Sequence, residues 1–179
     1  YWLNPQKLLQ SMLKPWQQLE ATKYFTARVS STPNDSGQNK RQGTYLEAIG
    51  TLNRTEIVLG HFLSKHRACL HCQYRWNEYE EKMTDVNIAV QILEDAYDDK
   101  FDAAIIVSAD GDLLAPLRAV RERFPTKRII VACPPSRKSK ALAGVANRCF
   151  QIGRMTLQKS LFPDEVIKKD GYGLKCPEK

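Results

Sequence analysis

Apolar positions along this chain recur in two rhythms, a helical spacing of three to four and the short runs of strands, and the two alternate almost from end to end. In NPQKLLQSMLK, Leu8, Leu9, Met12 and Leu13 fall on one helical face, with Asn4 as the cap and Pro5 at the first helical position. KYFTARV, Lys23 to Val29, is rich in aromatic and branched residues and reads as a strand. Ser30 to Lys40 is polar, with Gly and Pro, and reads as a solvated loop. Helical spacing returns from Gln42, with Tyr45, Leu46, Ile49 and Leu52 on one face, and TEIVLG, Thr55 to Gly60, reads as the next strand. Residues 61–80 follow neither rhythm and are expected to form an irregular insertion carrying His and Cys.

The second half is more regular. TDVNIAVQILEDAYDD places Ala89, Ile92, Leu93 and Ala96 in an apolar stripe behind a Thr84 cap. The continuous apolar run Ala103 to Val107 has the character of a strand covered on both faces, as in parallel sheets. A helix over Leu113 to Arg123, a strand over Arg128 to Cys133, a turn at Pro134 and Pro135, a short helix over Ser139 to Ala146 and a strand over Cys149 to Gly153 continue the alternation. After Met155 one short helix is expected, and residues 164–179 read as a loop-like tail. Strands and helices in this order predict an α/β fold with a mostly parallel sheet wound by right-handed crossovers. With 179 residues, the whole of 1–179 is expected to be a single domain.

Composition narrows the function. No apolar run approaches the ~18–20 residues of a spanning helix, so no membrane role is expected. A formal net charge of +7 favours an anionic partner, with nucleic acid the commonest. Five cysteines without a regular framework read as reduced thiols, which points to a cytoplasmic protein.

The strand at Ala103 ends in SADGD. Asp110 and Asp112 are two apart, so in extended chain both carboxylates point to one side, and they stand at the carboxyl edge where α/β sheets collect ligands. Asp85, in the first turn of its helix, could converge on them. Hard oxygen ligands of this kind select Mg²⁺ or Mn²⁺, and an ion held there can activate water at a phosphodiester. The same aspartates also suit helix capping. An Asp-x-Asp pair after a strand resembles the manganese site of glycosyltransferases as well. The aspartyl-phosphate phosphatases place their pair after the first strand, whereas this one comes late in the chain.

The run EEKMTDVNIAVQILEDAYDDKFDAAIIVSADGDLLAPLRAV, Glu80 to Val120, resembles the NYN family, the PIN-like nuclease group that includes the LabA and DUF88 proteins. YFTARV, QGTYLEAIGTL, GHFL, CPPSRKSKALAGVAN and LFPDE extend the resemblance over nearly the whole chain. It implies a three-layer PIN-like (Rossmannoid) fold and a metal-dependent ribonuclease acting on single-stranded or structured RNA. The acidic site would fall on Asp85, Asp110 and Asp112 as catalytic residues and metal ligands, with Ser108 beside them on phosphate, a metal-bound water or backbone. Lys82 matches the lysine of the Glu-Lys pair and could contact phosphate; an ion pair with Glu81 is the structural alternative. The family pattern begins with a strand carrying Ile-Asp-Gly-x-Asn, which this sequence, opening at Tyr1, does not contain. Either residues upstream supply that central strand and its aspartate, or this form lacks a ligand. The first is expected, because loss of a central strand would uncover the backbone edges of its neighbours. An RNA-binding or adaptor module that keeps the fold without catalysis is the second reading, and a glycosyltransferase the third.

Cys69 and Cys72 form a C-x-x-C with zinc-like spacing, and His61 is the candidate third ligand; a pair of free thiols is the plainer reading. Cys133 and Cys149 lie in expected strands and suit burial. Arg137, Lys138 and Lys140 follow a strand at the same edge as Asp110 and could hold an RNA backbone. Arg118, Arg121, Arg123, Lys127 and Arg128 are expected on a solvated helix face and its exit loop. Arg75, Trp76 and Tyr79 interleave a cation with aromatics, a pattern that suits base stacking, with core packing as the alternative for the aromatics.

Overall fold

A computed structural model describes residues 2–29 and 37–178, and the side chains of these apart from 62–66 and 77–81. Residues 30–36 of the expected loop therefore lie outside the described residues. Helix α1, Pro5–Gln10, starts as expected: Asn4 Oδ1 accepts the Lys7 N–H, and Pro5 occupies the first turn. Strand β1 is Thr22–Ala27 and helix α2 is Gln38–Gly50, four residues longer at its start than the apolar spacing predicts. Strands β2, Thr55–Ala68, and β3, Arg75–Lys82, form one long antiparallel hairpin. The segment expected to be irregular is therefore the outer part of this hairpin.

Helix α3, Thr84–Tyr97, leads to strand β4, Ala103–Ile106, then a single 3-10 turn, Gly111–Leu113, and helix α4, Leu114–Arg123. Strand β5, Arg128–Cys133, helix α5, Lys140–Val145, strand β6, Arg148–Gln151, and helix α6, Arg154–Lys159, follow. The tail is not all loop. Strands β7, Glu165–Ile167, and β8, Gly173–Lys175, pair there, and each is anchored by one buried residue, Val166 and Leu174.

Parallel pairing dominates, as expected, but in two separate sheets. β1 pairs in parallel with β2, and β4, β5 and β6 form a parallel sheet in that order. Among the described residues, β1 and β4 each pair on one side only. β4 is accordingly half-buried rather than covered throughout, and Val107 beyond it is exposed.

The second sheet is packed on both faces. On one side Ile129, Val131 and Cys133 of β5 meet Ile92 and Ala96 of α3, Leu117 and Val120 of α4, and Leu142 of α5. On the other side Ala132 meets Leu8 of α1 and Ile152. This is the alternation that the period of a strand imposes on an apolar run. A third cluster gathers Trp2, Leu46, Ile49, Phe162, Val166 and Leu174.

Helix α3 ties the two sheets together. It packs against β1 and β2 on one side and against α4 and the 3-10 turn on the other. Lys23 of β1 donates to Asp95 of α3 at 2.8 Å, with both side chains largely buried.

Lys127 is the clearest departure from expectation. Instead of lying on a solvated surface it is only 6% exposed. Its ammonium donates to Asp99 and to the Phe101 carbonyl (2.8 Å), and lies over the Phe101 ring. Burial of a lysine is tolerated because these partners replace its water. The result pins the loop before β4 to the loop before β5.

Candidate functional site

The end of β4 is built by short-range hydrogen bonds that the sequence SADGD makes with itself. The Asp110 N–H donates to Ser108 Oγ (3.0 Å), and the Asp112 N–H donates to Asp110 Oδ1 (3.0 Å). Asp110 is thus the cap of the 3-10 turn, in extended backbone, as an N-cap residue should be. Leu113 and Leu117 are buried beneath, so the turn is nailed to the core while Asp110 and Asp112 are exposed above it. Ser108 is half-buried. Capping and an exposed carboxylate pair are therefore both present in one turn.

Asp85 stands in the first turn of α3 and is exposed. A carboxylate is favoured there by the positive end of the helix dipole. Its helix packs against the 3-10 turn that carries Asp110 and Asp112. Among the described residues no group of three or more His, Cys, Asp or Glu side chains gathers closely enough to hold a metal ion. As a donor set, Asp110 and Asp112 still fit a magnesium-class ion, which takes one or two carboxylates and completes its shell with water and phosphate.

The start of α3 is set by two residues that carry no functional group. Gly60 of β2 lies so close to the chain entering α3 that a β-carbon there would stand 2.7 Å from the Lys82 carbonyl oxygen. Met83, just before α3, takes a left-handed backbone with φ 73° and gives the helix no side-chain cap. Gly60 was legible in principle, since a glycine in a strand marks a close backbone approach. Met83 gave no signal.

Arg137, Lys138 and Lys140 are exposed after β5, at the same strand edge as Asp110, because β4 and β5 are parallel. Ser136 has φ 62°, and Ser139 caps α5 through the Leu142 N–H. α5 in turn packs against the 3-10 turn. The structure thus brings the basic loop and the carboxylate turn to one edge. Lys82 ends β3, half-buried, opposite His61 in the ladder. The side chain of Glu81, its expected ion-pair partner, lies outside the described residues, as does that of Tyr79.

The zinc expectation is corrected. His61 lies eight residues before Cys69 along an unbroken strand, about 25 Å at the usual rise, and cannot share an ion with Cys69 and Cys72. Those two cysteines sit at the hairpin tip instead. The Cys69 thiol is held below the usual thiol range by the backbone N–H groups of Cys72 and His71 and by the Cys72 side chain. Trp76 is exposed and stacks on Tyr74 rather than entering a core (centroids 6.2 Å apart). Cys133 is buried as expected, with its sulfur 3.8 Å from that of Cys149 on the neighbouring strand.

Comparison with known proteins follows the same outline. The sequence profile described as the NYN domain matches residues 3–153. The 6-hydroxy-3-succinoylpyridine 3-monooxygenase HspA of Pseudomonas putida is 28% identical over 149 residues, covering 72% of this chain. The chain spans only about half, 47%, of that curated relative's length. The crystal structure of a protein of unknown function from Vibrio parahaemolyticus shares the fold. It superposes with a TM-score of 0.55 at 20% identity, over 85% of this chain and 80% of its own.

Proposed function

Because the chain belongs to the NYN domain family, we propose that it hydrolyses RNA phosphodiester bonds in a Mg²⁺- or Mn²⁺-dependent reaction at Asp85, Asp110 and Asp112. The observation that carries this reading is the SADGD turn. It holds two exposed carboxylates at the carboxyl edge of a parallel strand, beside the helix whose first turn carries Asp85. The bound ion supplies an activated water and charge neutralisation at the phosphodiester. Asp110 and Asp112 would hold that ion, Asp110 through the oxygen not already engaged by the Asp112 N–H. Ser108, whose oxygen accepts the Asp110 N–H, keeps a hydroxyl hydrogen to donate to a phosphate oxygen. Arg137, Lys138 and Lys140 hold the RNA backbone at the same edge and set its register without reading sequence.

In this reading the one-sided pairing of β1 and β4 is completed by a further strand between them, carrying a fourth aspartate and making one three-layer PIN-like sheet. The convergence of carboxylates would then be finished by that strand.

A second reading, an RNA-binding or adaptor module without catalysis, is favoured by one observation: no three ligating side chains gather among the described residues. Family membership weighs against the glycosyltransferase. The oxidative chemistry in the name of the Pseudomonas relative belongs to a protein about twice as long, and no geometry described above favours it here. Incubation of the full-length protein with a mixed RNA pool separates the first two readings. Cleavage that requires added Mg²⁺ or Mn²⁺ supports the nuclease; salt-sensitive binding with the pool left intact supports the module.

A further inference from the structure

The outer end of the β2–β3 hairpin carries an aromatic pair that the carboxylate turn does not use. The last ladder pairs are Arg67 with Trp76 and Ala68 with Arg75. Beyond them the Cys69 N–H donates to the Tyr74 carbonyl at 2.8 Å, which carries the pairing one residue further. Tyr74 and Trp76 are therefore two apart in extended chain and point to the same side. Their rings are stacked, with centroids 6.2 Å apart and planes 18° from parallel. Arg67, directly across the ladder from Trp76, belongs to that same face and is exposed.

These rings are held in water rather than packed. Tyr74 is 68% and Trp76 43% exposed, and neither belongs to any of the three core clusters. Open ring faces beside a guanidinium are the components of a base-stacking platform. Charge selects the occupant. From His61 to Asn77 the sequence has no acidic residue, while it has Lys65, Arg67, Arg75 and all 3 of the chain's histidines. A polyanion that brings flat faces of its own meets both features at once, its phosphates on the cations and its bases on the rings. Unpaired bases are required, because they can be splayed onto a side-chain ring, whereas a paired base stays in its own stack. The face also leads toward the aspartates. Lys82 ends β3 on the same side as Trp76, about 20 Å away at the usual rise, and α3 with Asp85 begins just beyond it.

We infer that the outer β2–β3 hairpin is a binding arm for single-stranded RNA: Tyr74 and Trp76 stack on unpaired bases, Arg67 holds the adjoining phosphate, and the strand runs down this face toward the start of α3. The inference rests on the proposal that RNA is the partner, and it requires neither the metal nor cleavage.

The test is fluorescence anisotropy of the full-length protein in EDTA, with a labelled oligouridylate and with an RNA duplex of the same length. The wild type should bind the single strand more tightly than the duplex. Tyr74→Ala and Trp76→Ala should each weaken single-strand binding by about 5-fold or more, with little effect on the duplex, and Trp76→Phe should restore most of the loss. Arg67→Gln should lower the slope of log affinity against log salt by about 0.7. Far-ultraviolet circular dichroism should be the same throughout, because the rings lie outside the core. Single-strand binding by the wild type that both alanine variants match would overturn the arm and leave the RNA proposal standing, the exposed rings then belonging to a protein partner. Equal losses on single strand and duplex would overturn the stacking. A wild type that binds neither RNA would overturn the arm and the RNA proposal together.

Discussion

Gly60 and Thr84 meet where strand β2 passes the start of helix α3: a β-carbon at residue 60 would stand 2.9 Å from Thr84 Oγ1. Nearer still is the Lys82 carbonyl oxygen, which is backbone and cannot swing aside as a flexible side chain would. Gly60→Ala should therefore shift the chain one residue before Asp85 and destabilise the fold by about 1–3 kcal/mol. Urea denaturation measures the destabilisation. RNA cleavage at a temperature where the variant is fully folded measures the effect of the shift, and it should fall. Equal stability and equal activity would mean that the contact yields at no cost.

Met83→Gly should have the opposite sign. Met83 holds φ 73°, a left-handed conformation that costs an L side chain about 1–2 kcal/mol and glycine almost nothing. Part of the gain is offset by the greater freedom of glycine in the unfolded chain. The net expectation is a stabilisation of about 0.5–1 kcal/mol, seen as a higher urea midpoint with unchanged slope. A loss of stability would show that the half-exposed Met83 side chain contributes more than its backbone costs.

Acid stability should depend on Asp99. Its carboxyl is held below the usual carboxylate range, first by the hydrogen bond from Lys127 and then by that ammonium's charge. A carboxylate whose folded pKa is depressed stabilises fully above its unfolded value, about 3.9, and loses that contribution as pH falls through the folded value. Asp99→Asn removes the charge and keeps a residue that tolerates the left-handed backbone at φ 55°. The wild type should exceed this variant in urea midpoint by a constant amount above about pH 5, and the gap should close below about pH 4. A gap that persists into acid would assign the effect to packing instead.

Replacing Arg137, Lys138 and Lys140 together by Gln should weaken RNA binding and flatten its salt dependence. Each phosphate contact on a single strand contributes about 0.7 to the slope of log affinity against log salt, so three lost contacts lower it by about 2. Fluorescence anisotropy with a labelled oligoribonucleotide over a range of salt gives the slope. An unchanged slope would remove these residues from the RNA path.

What the sequence discloses depends on how locally each feature is encoded. Helices α3 and α4 and strands β4 and β5 are legible because apolar period alone specifies them, and the Asp110 cap is legible because its partners, Ser108 and Asp112, are two residues away. Strand β3 is hidden because RWNEYEEK, paired along a projecting arm, shows no apolar alternation. The start of α2 is hidden because QNKR, before the stripe at Tyr45, is polar on every side. Strands β7 and β8 are each three residues long and bury a single side chain, too little to register as a pattern. The burial of Lys127 depends on Asp99, 28 residues away, and no spacing rule connects them. The one-sided edges of β1 and β4 belong to topology and appear only once strands are paired.

The central claim is that the exposed carboxylates of the SADGD turn do chemistry beyond capping it, and Asp110→Asn separates the two roles. Asparagine caps about as well as aspartate, so the turn and the folded stability should be preserved while one carboxylate becomes neutral. The decisive measurement is Mg²⁺- or Mn²⁺-dependent cleavage of a mixed RNA pool by the full-length protein and by its Asp110→Asn form, at matched thermal stability. The account predicts cleavage by the wild type and a loss of about 100-fold or more in the variant. Equal rates in the two proteins, or the same residual trace in both, would contradict it.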